Sequence, residues 1–214
     1  PAEAFLRACD EQGMLVIDEA FDHWQKEKNP QDYHRFFDEW NEKDISAMVL
    51  RDRNHPSVIM WSIGNEIQER SDDAGVEIAE RLRNIVKKLD PSRPVNAAIN
   101  DYWDNPQLKW KEDAVKAMQH LDVAGNNYMW YENENDHQQD PSRIIYGSET
   151  VAQEAAVNWN LVEKHPYIIG DFVWTALDYL GESGIGHTLE LSKGEKNPQF
   201  MGWPWYNAWC GDID

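Results

Sequence analysis

The chain has 214 residues, a formal net charge of −19 at pH 7 and a pI near 4.6. A surface this acidic repels phosphate groups, which argues against a nucleic-acid partner and against binding to anionic membranes, and leaves neutral or cationic ligands open. Eleven tryptophans are many for a chain with 41% hydrophobic residues, and aromatic side chains at this density often line ligand clefts as well as cores.

Helical and extended segments alternate from the start of the chain. The first twelve residues have apolar side chains at helical spacing, and Gly13 is predicted to end this helix. A second, amphipathic helix is predicted over about 31–51. Four aromatic residues are predicted to form its inward stripe: Tyr33, Phe36, Phe37 and Trp40. Further helices are predicted over about 73–89, 110–120 and 158–165.

Six apolar segments are predicted to be strands: 14–17, 57–66, 95–98, 123–128, 144–149 and 167–174. The second is the most informative, because a run of β-branched and aromatic residues reaches Gly64 and then presents Asn65 and Glu66. Uninterrupted apolar runs of this length are typical of parallel strands that are covered on both faces. The acidic segment 131–141 is predicted to be a loop, and residues 181–214 are predicted to be irregular.

The alternation of six strands with helices predicts a parallel α/β sheet. Neither G-x-G-x-x-G nor a Walker A pattern is present in the sequence, which argues against a nucleotide-binding fold. A (β/α)8 barrel has about 250 residues, so we predict an incomplete TIM barrel with six βα units, forming one partial domain over residues 1–214. Two upstream βα units are expected in a longer protein. The open arc leaves apolar edges, which predicts a possible homo-oligomer.

Two of the predicted strands end on a glutamate, Glu66 and Glu149, three strand steps apart. In a closed eight-stranded barrel, side chains at such positions face each other across one mouth. Glycoside hydrolysis requires this kind of pair, because one carboxyl protonates the leaving oxygen while the other attacks the anomeric carbon or activates water. On spacing alone, the two glutamates could equally be solvated or paired with arginines.

Four segments resemble glycoside hydrolase family 2, which contains β-galactosidases, β-glucuronidases and β-mannosidases. They are V-I-D-E-A-F-D at 16–22, R-N-H-P-S-V-I-M-W-S-I-G-N-E at 53–66, Y-G-S-E at 146–149 and D-F-V-W-T-A-L-D-Y-L-G-E at 171–182. The resemblance extends from residue 1 to about 182 in the family's order, and the block ending at Glu66 is its most specific part. Family members continue upstream into two further barrel strands and β-sandwich domains, so the resemblance implies that this chain is a fragment of a longer protein.

The resemblance implies a retaining mechanism with Glu66 as general acid/base and Glu149 as nucleophile. It implies that Asn65 hydrogen-bonds the sugar 2-hydroxyl, that Tyr128 orients Glu149 and holds the pKa of its carboxyl low, and that Trp174 forms the floor beneath the sugar ring. Structural alternatives stay open for three of these residues. Asn65 could be a turn-stabilising amide, Tyr128 a core tyrosine and Trp174 a packing residue.

Some relatives bind magnesium near the loop that follows the first predicted strand. Asp22 and His23 lie in this loop, but their spacing does not match, and hard cations prefer several oxygen ligands. We therefore predict that both are solvated loop residues, and we predict no metal site and no cofactor. His187 is predicted to be structural or exposed, and no chemistry is assigned to Asp18 or Glu19.

The segment 171–182 resembles the β-galactosidase branch, and no convincing Asn-x-Lys motif for a glucuronate carboxylate is present. We predict hydrolysis of terminal β-galactosides. A non-catalytic carbohydrate-binding fragment and a different barrel glycosidase (β-glucuronidase, β-mannosidase or β-mannanase) stay open as alternatives. No apolar run approaches the roughly 20 residues that span a bilayer. Cys9 and Cys210 permit one disulfide without arguing for it, so the compartment stays open, with a bacterial periplasm or cytoplasm as the expectation.

Overall fold

The computed structural model describes residues 1–103, 105–176 and 192–194, together with the backbone of 179–180 and 207–208. Six strands form the main sheet: β1 (Val16–Glu19), β2 (Val58–Asn65), β3 (Val95–Ile99), β4 (Val123–Asn127), β5 (Ile145–Thr150) and β6 (Ile168–Val173). The helices are α1 (Glu3–Gln12), α2 (His34–Asp52), α3 (Asp73–Leu89), α4 (Trp110–Met118), α5 (Asn133–Gln139) and α6 (Ala155–Lys164). A short antiparallel pair, β7 (Tyr179–Leu180) and β8 (Asn207–Ala208), lies outside this sheet.

The six strands are all parallel, and each pairs with the next in chain order. Alternation with helices makes this a curled half-barrel of a TIM barrel, as the sequence predicted. Within the described residues β1 and β6 are the edge strands. Because all strands run the same way, their carboxyl ends lie along one rim, where parallel α/β folds carry their functional groups.

The main hydrophobic core lies between the sheet and the helices that cover it. Its largest fully buried side chains include Trp61 of β2, Phe37 and Ile45 of α2, and Leu82 of α3. A smaller cluster of Met60, Val123 and Tyr146 lies on the concave face. Residues 60 and 61 of β2 thus serve opposite faces, as the twofold alternation of a strand requires. The described residues contain no helix that is both long and apolar enough to cross a membrane.

The predicted inward stripe of α2 is partly wrong. Phe37 is fully buried, but Phe36 and Trp40 are 51% and 42% exposed. The buried positions of the helix recur at Phe37, Asn41, Ile45 and Val49, a spacing of four residues. Phe36 and Trp40 instead meet cations at the surface, since Arg35 lies over the Phe36 ring and Lys43 over the Trp40 ring.

The predicted loop over 131–141 is also wrong, because it contains a 3-10 turn (Trp130–Glu132) followed by α5. Two of its polar residues, Asn133 and Asp136, are buried and not solvated. The Trp110 indole N–H donates to Asp136 Oδ1 at 2.9 Å, and Asn126 Nδ2 donates to Asn133 Oδ1 at 2.8 Å. The other predicted elements lie within a few residues of the observed bounds. The prediction for 181–214, with His187 and Cys210, falls almost entirely outside the described residues.

Candidate active site

The ends of β2 and β4 place two side chains on the rim through an unusual backbone conformation. Glu66 and Tyr128 each directly follow their strand and have positive φ angles of 48° and 60°. Backbone hydrogen bonds hold both residues, from Glu66 N to Ala98 O (2.8 Å) and from Tyr128 N to Glu149 O (2.7 Å). Left-handed backbone at a residue other than glycine is costly and clusters at functional sites, so these outliers mark the rim as a candidate site.

Tyr128 and Glu149 form the first contact of this site. The Tyr128 hydroxyl donates to Glu149 Oε2 at 2.9 Å, as expected for a tyrosine that orients this carboxylate. Burial raises the pKa of Glu149 to about 7, and the negative charges of Glu66 and Glu19 raise it further. The hydrogen bond from Tyr128 acts in the opposite direction but is outweighed, so the expectation of a low pKa is wrong.

Asn127 lies between the residues of β2 and β5, and sequence analysis did not single it out. Its Nδ2 donates to Asn65 Oδ1 at 3.0 Å and to Glu66 Oε1 at 3.1 Å. Its Oδ1 accepts a hydrogen bond of 2.6 Å from Ser148 Oγ. A further side-chain hydrogen bond from Asn127 lowers the pKa of the Glu149 carboxyl. One buried amide therefore contacts Glu66 and lies in register with Glu149 on the neighbouring strand.

Asn65 is held from its other side by the loop after β1. Its Nδ2 donates to Asp22 Oδ1 at 3.1 Å. Lys28 Nζ donates to the same Asp22 oxygen at 2.8 Å and to the Asn65 carbonyl oxygen at 3.0 Å. The Asn65 amide is thus fixed by two neighbours, Asp22 and Asn127, in an orientation that the β2 backbone alone would not set.

A cavity of about 180 Å³ opens beside these groups. It is lined by Ile17, Glu19, Asn65, Ala98, Tyr146, Ser148, Glu149, Phe172 and Trp174. Trp174 is exposed at the end of β6, where its backbone N–H donates to Thr150 O at 2.8 Å. A larger hollow of about 580 Å³ lies between α2 and α3 on the outer face, and none of the predicted site residues line it.

The structure brings the five predicted site residues together. Asn65, Glu149 and Trp174 line the cavity, Tyr128 contacts Glu149, and Glu66 contacts the amide that also holds Asn65. Their roles in catalysis stay predictions. Further polar residues were missed at the same site: Glu19, Asp22, Lys28, Asn127 and Ser148. Strand alternation could have indicated that Asn127 faces the concave side with Gly125, two residues before it, but not which side chains it contacts.

The loop after β1 differs in part from its prediction. Asp22 is exposed, whereas His23 is buried and not solvated. His23 Nε2 lies 3.2 Å from Asp32 Oδ1, and its ring lies beside that of Tyr33. This packing of the loop against the residues before α2 covers the imidazole. Among the described residues no group of three or more potential ligands is arranged to hold a metal ion.

Comparison with known proteins identifies related chains. The family model described as "Glycosyl hydrolases family 2, TIM barrel domain" matches residues 1–188. The crystal structure of a glycosyl hydrolase family 2 member from Bacteroides cellulosilyticus is 45% identical, with a TM-score of 0.84 over 99% of this chain and 26% of that chain. A β-glycosidase structure from Bacteroides vulgatus is 26% identical, with a TM-score of 0.67 over 84% of this chain and 29% of that chain.

Curated relatives include two kinds of glycosidase. A β-galactosidase of Bacteroides ovatus is 30% identical over 100% of this chain and 31% of its own length. The β-glucuronidase of Homo sapiens is 27% identical over 90% of this chain and 34% of its own length. The chain therefore spans about a third of the length of these relatives. With the resemblance of its motifs confirmed by the family model, the chain belongs to glycoside hydrolase family 2, within the TIM barrel domain of that family.

Proposed function

We propose that the protein is a retaining glycoside hydrolase that cleaves terminal β-galactosides. The observation that carries this proposal is that Glu66 is bonded to Asn127 while Glu149, the register partner of Asn127, lines the neighbouring cavity with Asn65 and Trp174. Two carboxyl groups near one cavity are the minimum that acid–base-assisted displacement at an anomeric carbon requires.

In the first step Glu149 attacks the anomeric carbon as a carboxylate. The glycosidic bond breaks as Glu66 transfers its proton to the departing oxygen, so the alcohol leaves neutral and the sugar remains esterified to Glu149. In the second step Glu66, now a carboxylate, removes a proton from water. The water oxygen attacks the anomeric carbon and Glu149 departs, which restores both side chains and gives the β-anomer of the product.

Asn65 and Trp174 complete the pocket around the sugar. Trp174 presents an exposed indole at the end of β6, suited to stacking under the apolar face of a pyranose ring. The Asn65 amide is held by Asp22 and Asn127 at the wall of the cavity, which supports the proposal that it hydrogen-bonds the sugar 2-hydroxyl. Such a contact strengthens as positive charge develops on the ring, and therefore favours the transition state over the bound substrate.

The preference for a neutral sugar has support from the cavity lining. The described lining residues include the carboxylates of Glu19 and Glu149 and contain no lysine or arginine. A sugar carboxylate bound in this cavity would be repelled by these two carboxylates, with no described lining lysine or arginine to offset the repulsion. A neutral galactoside would experience no such repulsion, which agrees with the β-galactosidase among the relatives of this chain.

The test uses the full-length protein with matched aryl β-galactoside, β-glucuronide and β-mannoside substrates. We expect the galactoside to have the highest kcat/KM, and proton NMR to detect the β-anomer of galactose as the first product. A 2-deoxy-2-fluoro galactoside should label Glu149. First release of the α-anomer, or labelling of another residue, would contradict the mechanism. Binding of galactosides without turnover of any substrate would favour the carbohydrate-binding alternative.

One observation favours a β-glucuronidase as the second candidate. Lys28 lies at the edge of the site, where Nζ contacts the Asn65 carbonyl oxygen and Asp22, and β-glucuronidases are among the relatives. If Lys28 binds a sugar carboxylate, Lys28→Met should lower kcat/KM for the glucuronide by about 100-fold and spare the galactoside. Under our proposal the glucuronide is a poor substrate before the substitution, and the variant affects both substrates to a similar extent.

A further inference from the structure

We propose that Asn127 is a positioning residue that sets the orientation of Glu66 and Asn65. This inference rests on the proposed function, since it assigns a role within that reaction. Its Nδ2 lies 3.0 Å from Asn65 Oδ1 and 3.1 Å from Glu66 Oε1, which accounts for both hydrogens of the amide. Glu149 is the register partner of Asn127 in the pairing of β4 with β5.

Neighbouring side chains fix the orientation of the Asn127 amide. Asn65 Nδ2 donates to Asp22, so Asn65 Oδ1 must accept, and this identifies the nitrogen end of the Asn127 amide. Ser148 Oγ then donates to the oxygen end, Asn127 Oδ1, at 2.6 Å. The space beneath is filled, because a Cβ added at Gly125 would lie 2.9 Å from both Ser148 Oγ and Tyr146 Oη. Asn127 itself is 1% exposed. An amide packed and bonded in this way has one available orientation.

A donor that holds the Glu66 carboxyl in place has a consequence for the proposed reaction. Glu66 follows β2 with a strained backbone at φ 48°, and its side chain must reach the leaving oxygen while Glu149 reaches the anomeric carbon. Without the Asn127 donor, Glu66 and Asn65 lose a shared anchor and sample more rotamers. A displacement of about 1 Å in a reacting group is sufficient to reduce the rate about 100-fold.

The neighbouring residue Asn126 provides a matched control. It is an asparagine of the same strand, is also 1% exposed, and faces the helices, where its Nδ2 donates to Asn133 and Asp136. Removal of either amide leaves buried polar groups without a partner and destabilises the fold. Only removal of the Asn127 amide should alter how the rate depends on the leaving group.

The experiment compares Asn127→Ala, Ser148→Ala and Asn126→Ala in the full-length protein, with aryl galactosides of good and poor leaving groups. For Asn127→Ala we expect kcat/KM to fall about 100-fold with the poor leaving group. With the good leaving group the fold-loss in kcat/KM should be smaller by a factor of at least about 10, because proton donation matters least there. Ser148→Ala frees the amide to rotate and should produce a smaller change in the same direction. It also carries the test if Asn127→Ala does not fold.

Equal losses on both substrates, or a loss no greater than that of Asn126→Ala, would overturn the positioning role. Crystal structures of the variants separate this outcome from failure of the proposed function. If the wild-type protein hydrolyses no aryl glycoside, displaced Glu66 and Asn65 side chains in Asn127→Ala would still support positioning. Unchanged positions of both side chains would reject it.

Discussion

At the scale of single residues, the site combines opposing influences on one carboxyl group. Burial and the charges of Glu66 and Glu19 raise the pKa of Glu149 to about 7, while hydrogen bonds from Tyr128 and Asn127 lower it. The proposed role of Glu149 as nucleophile requires an ionised carboxylate, and the two donors act against burial to keep it ionised near neutral pH. In the proposed mechanism burial would also strengthen the interaction of this carboxylate with a developing oxocarbenium ion.

This balance predicts the pH dependence of the reaction. We expect kcat/KM of the full-length protein to increase with pH through about 7, as Glu149 ionises in the free enzyme. Tyr128→Phe removes a donor that lowers this pKa, so the acidic limb should move to higher pH and the maximal rate should fall about 100-fold. Tyr102→Phe is the control, since that hydroxyl is bonded to Ser71 and not to Glu149. An acidic limb at the same pH in Tyr128→Phe would contradict the assignment.

The same carboxyl predicts a dependence of stability on pH. The folded-state pKa of Glu149, about 7, is above its ordinary value of 4.5, so folding favours the protonated form. This contribution to stability is complete below pH 4.5 and is lost as pH rises through 7. Glu149→Gln stays neutral, so its Tm should exceed that of the wild type increasingly between pH 4.5 and 8, while activity is lost. A Tm difference that does not change with pH would contradict this reasoning.

At the scale of elements, strong apolar patterns were predicted well and buried polar ones were not. The run at 58–65 and the amphipathic pattern at 73–89 match β2 and α3 closely, because burial of apolar side chains determines both. The segment of α5 was missed because its buried residues are Asn133 and Asp136, which are polar. Their partners, Trp110 and Asn126, come from other elements, and no local pattern reports such contacts.

The residues of the candidate site also divide into those that local sequence patterns indicated and those that only contacts between elements define. Its glutamates and Tyr128 lie where motifs or strand ends indicate chemistry, and the resemblance named them. Asn127, Asp22 and Lys28 act through contacts between side chains from separate strands and loops. Such contacts depend on strand register, which shifts between Asn126 and Asn127 in the pairing of β4 with β5. A one-residue irregularity of this kind is not visible in a single sequence.

At the scale of elements, a testable prediction concerns the segment that joins β2 to α3. Gly75 lies in the first turn of α3, and a Cβ there would approach the Glu69 carbonyl oxygen to 1.9 Å. Gly75→Ala should therefore destabilise the fold by about 1–3 kcal/mol, which exceeds the gain of up to about 1 kcal/mol in helix propensity. The substitution should also lower activity, because the segment between β2 and α3 that the new Cβ would displace begins at Glu66.

Gly170 of β6 provides the control for this substitution. Nothing lies within 4 Å of a Cβ added there, so Gly170→Ala should be neutral or slightly stabilising. Denaturant unfolding of the two variants and the wild type gives the comparison. If Gly75→Ala is as stable as Gly170→Ala, the close approach of Glu69 to α3 does not constrain the junction.

At the scale of the whole molecule, edge strands and net charge have opposite effects on association. The half-barrel leaves β1 and β6 as edges within the described residues, and apolar side chains such as Ile169 are exposed there. Unpaired strand edges favour pairing with another chain. The net charge of −19 opposes it through repulsion between chains, and salt screens that repulsion over about 10 Å at 0.1 M.

We therefore predict that the isolated 214-residue chain is monomeric at low ionic strength and associates as salt is added. Ile169→Lys places a charge on the β6 edge and should suppress the association. Phe36→Lys makes the same change of charge at a side chain of equal exposure on α2, 51% against 50% for Ile169, and should not suppress it. Sedimentation velocity over a series of salt and protein concentrations measures the effect. Since the two variants have the same net charge, an equal decrease in association would show that charge alone controls it. A wild-type chain that is monomeric under all conditions would show that the strand edges are protected.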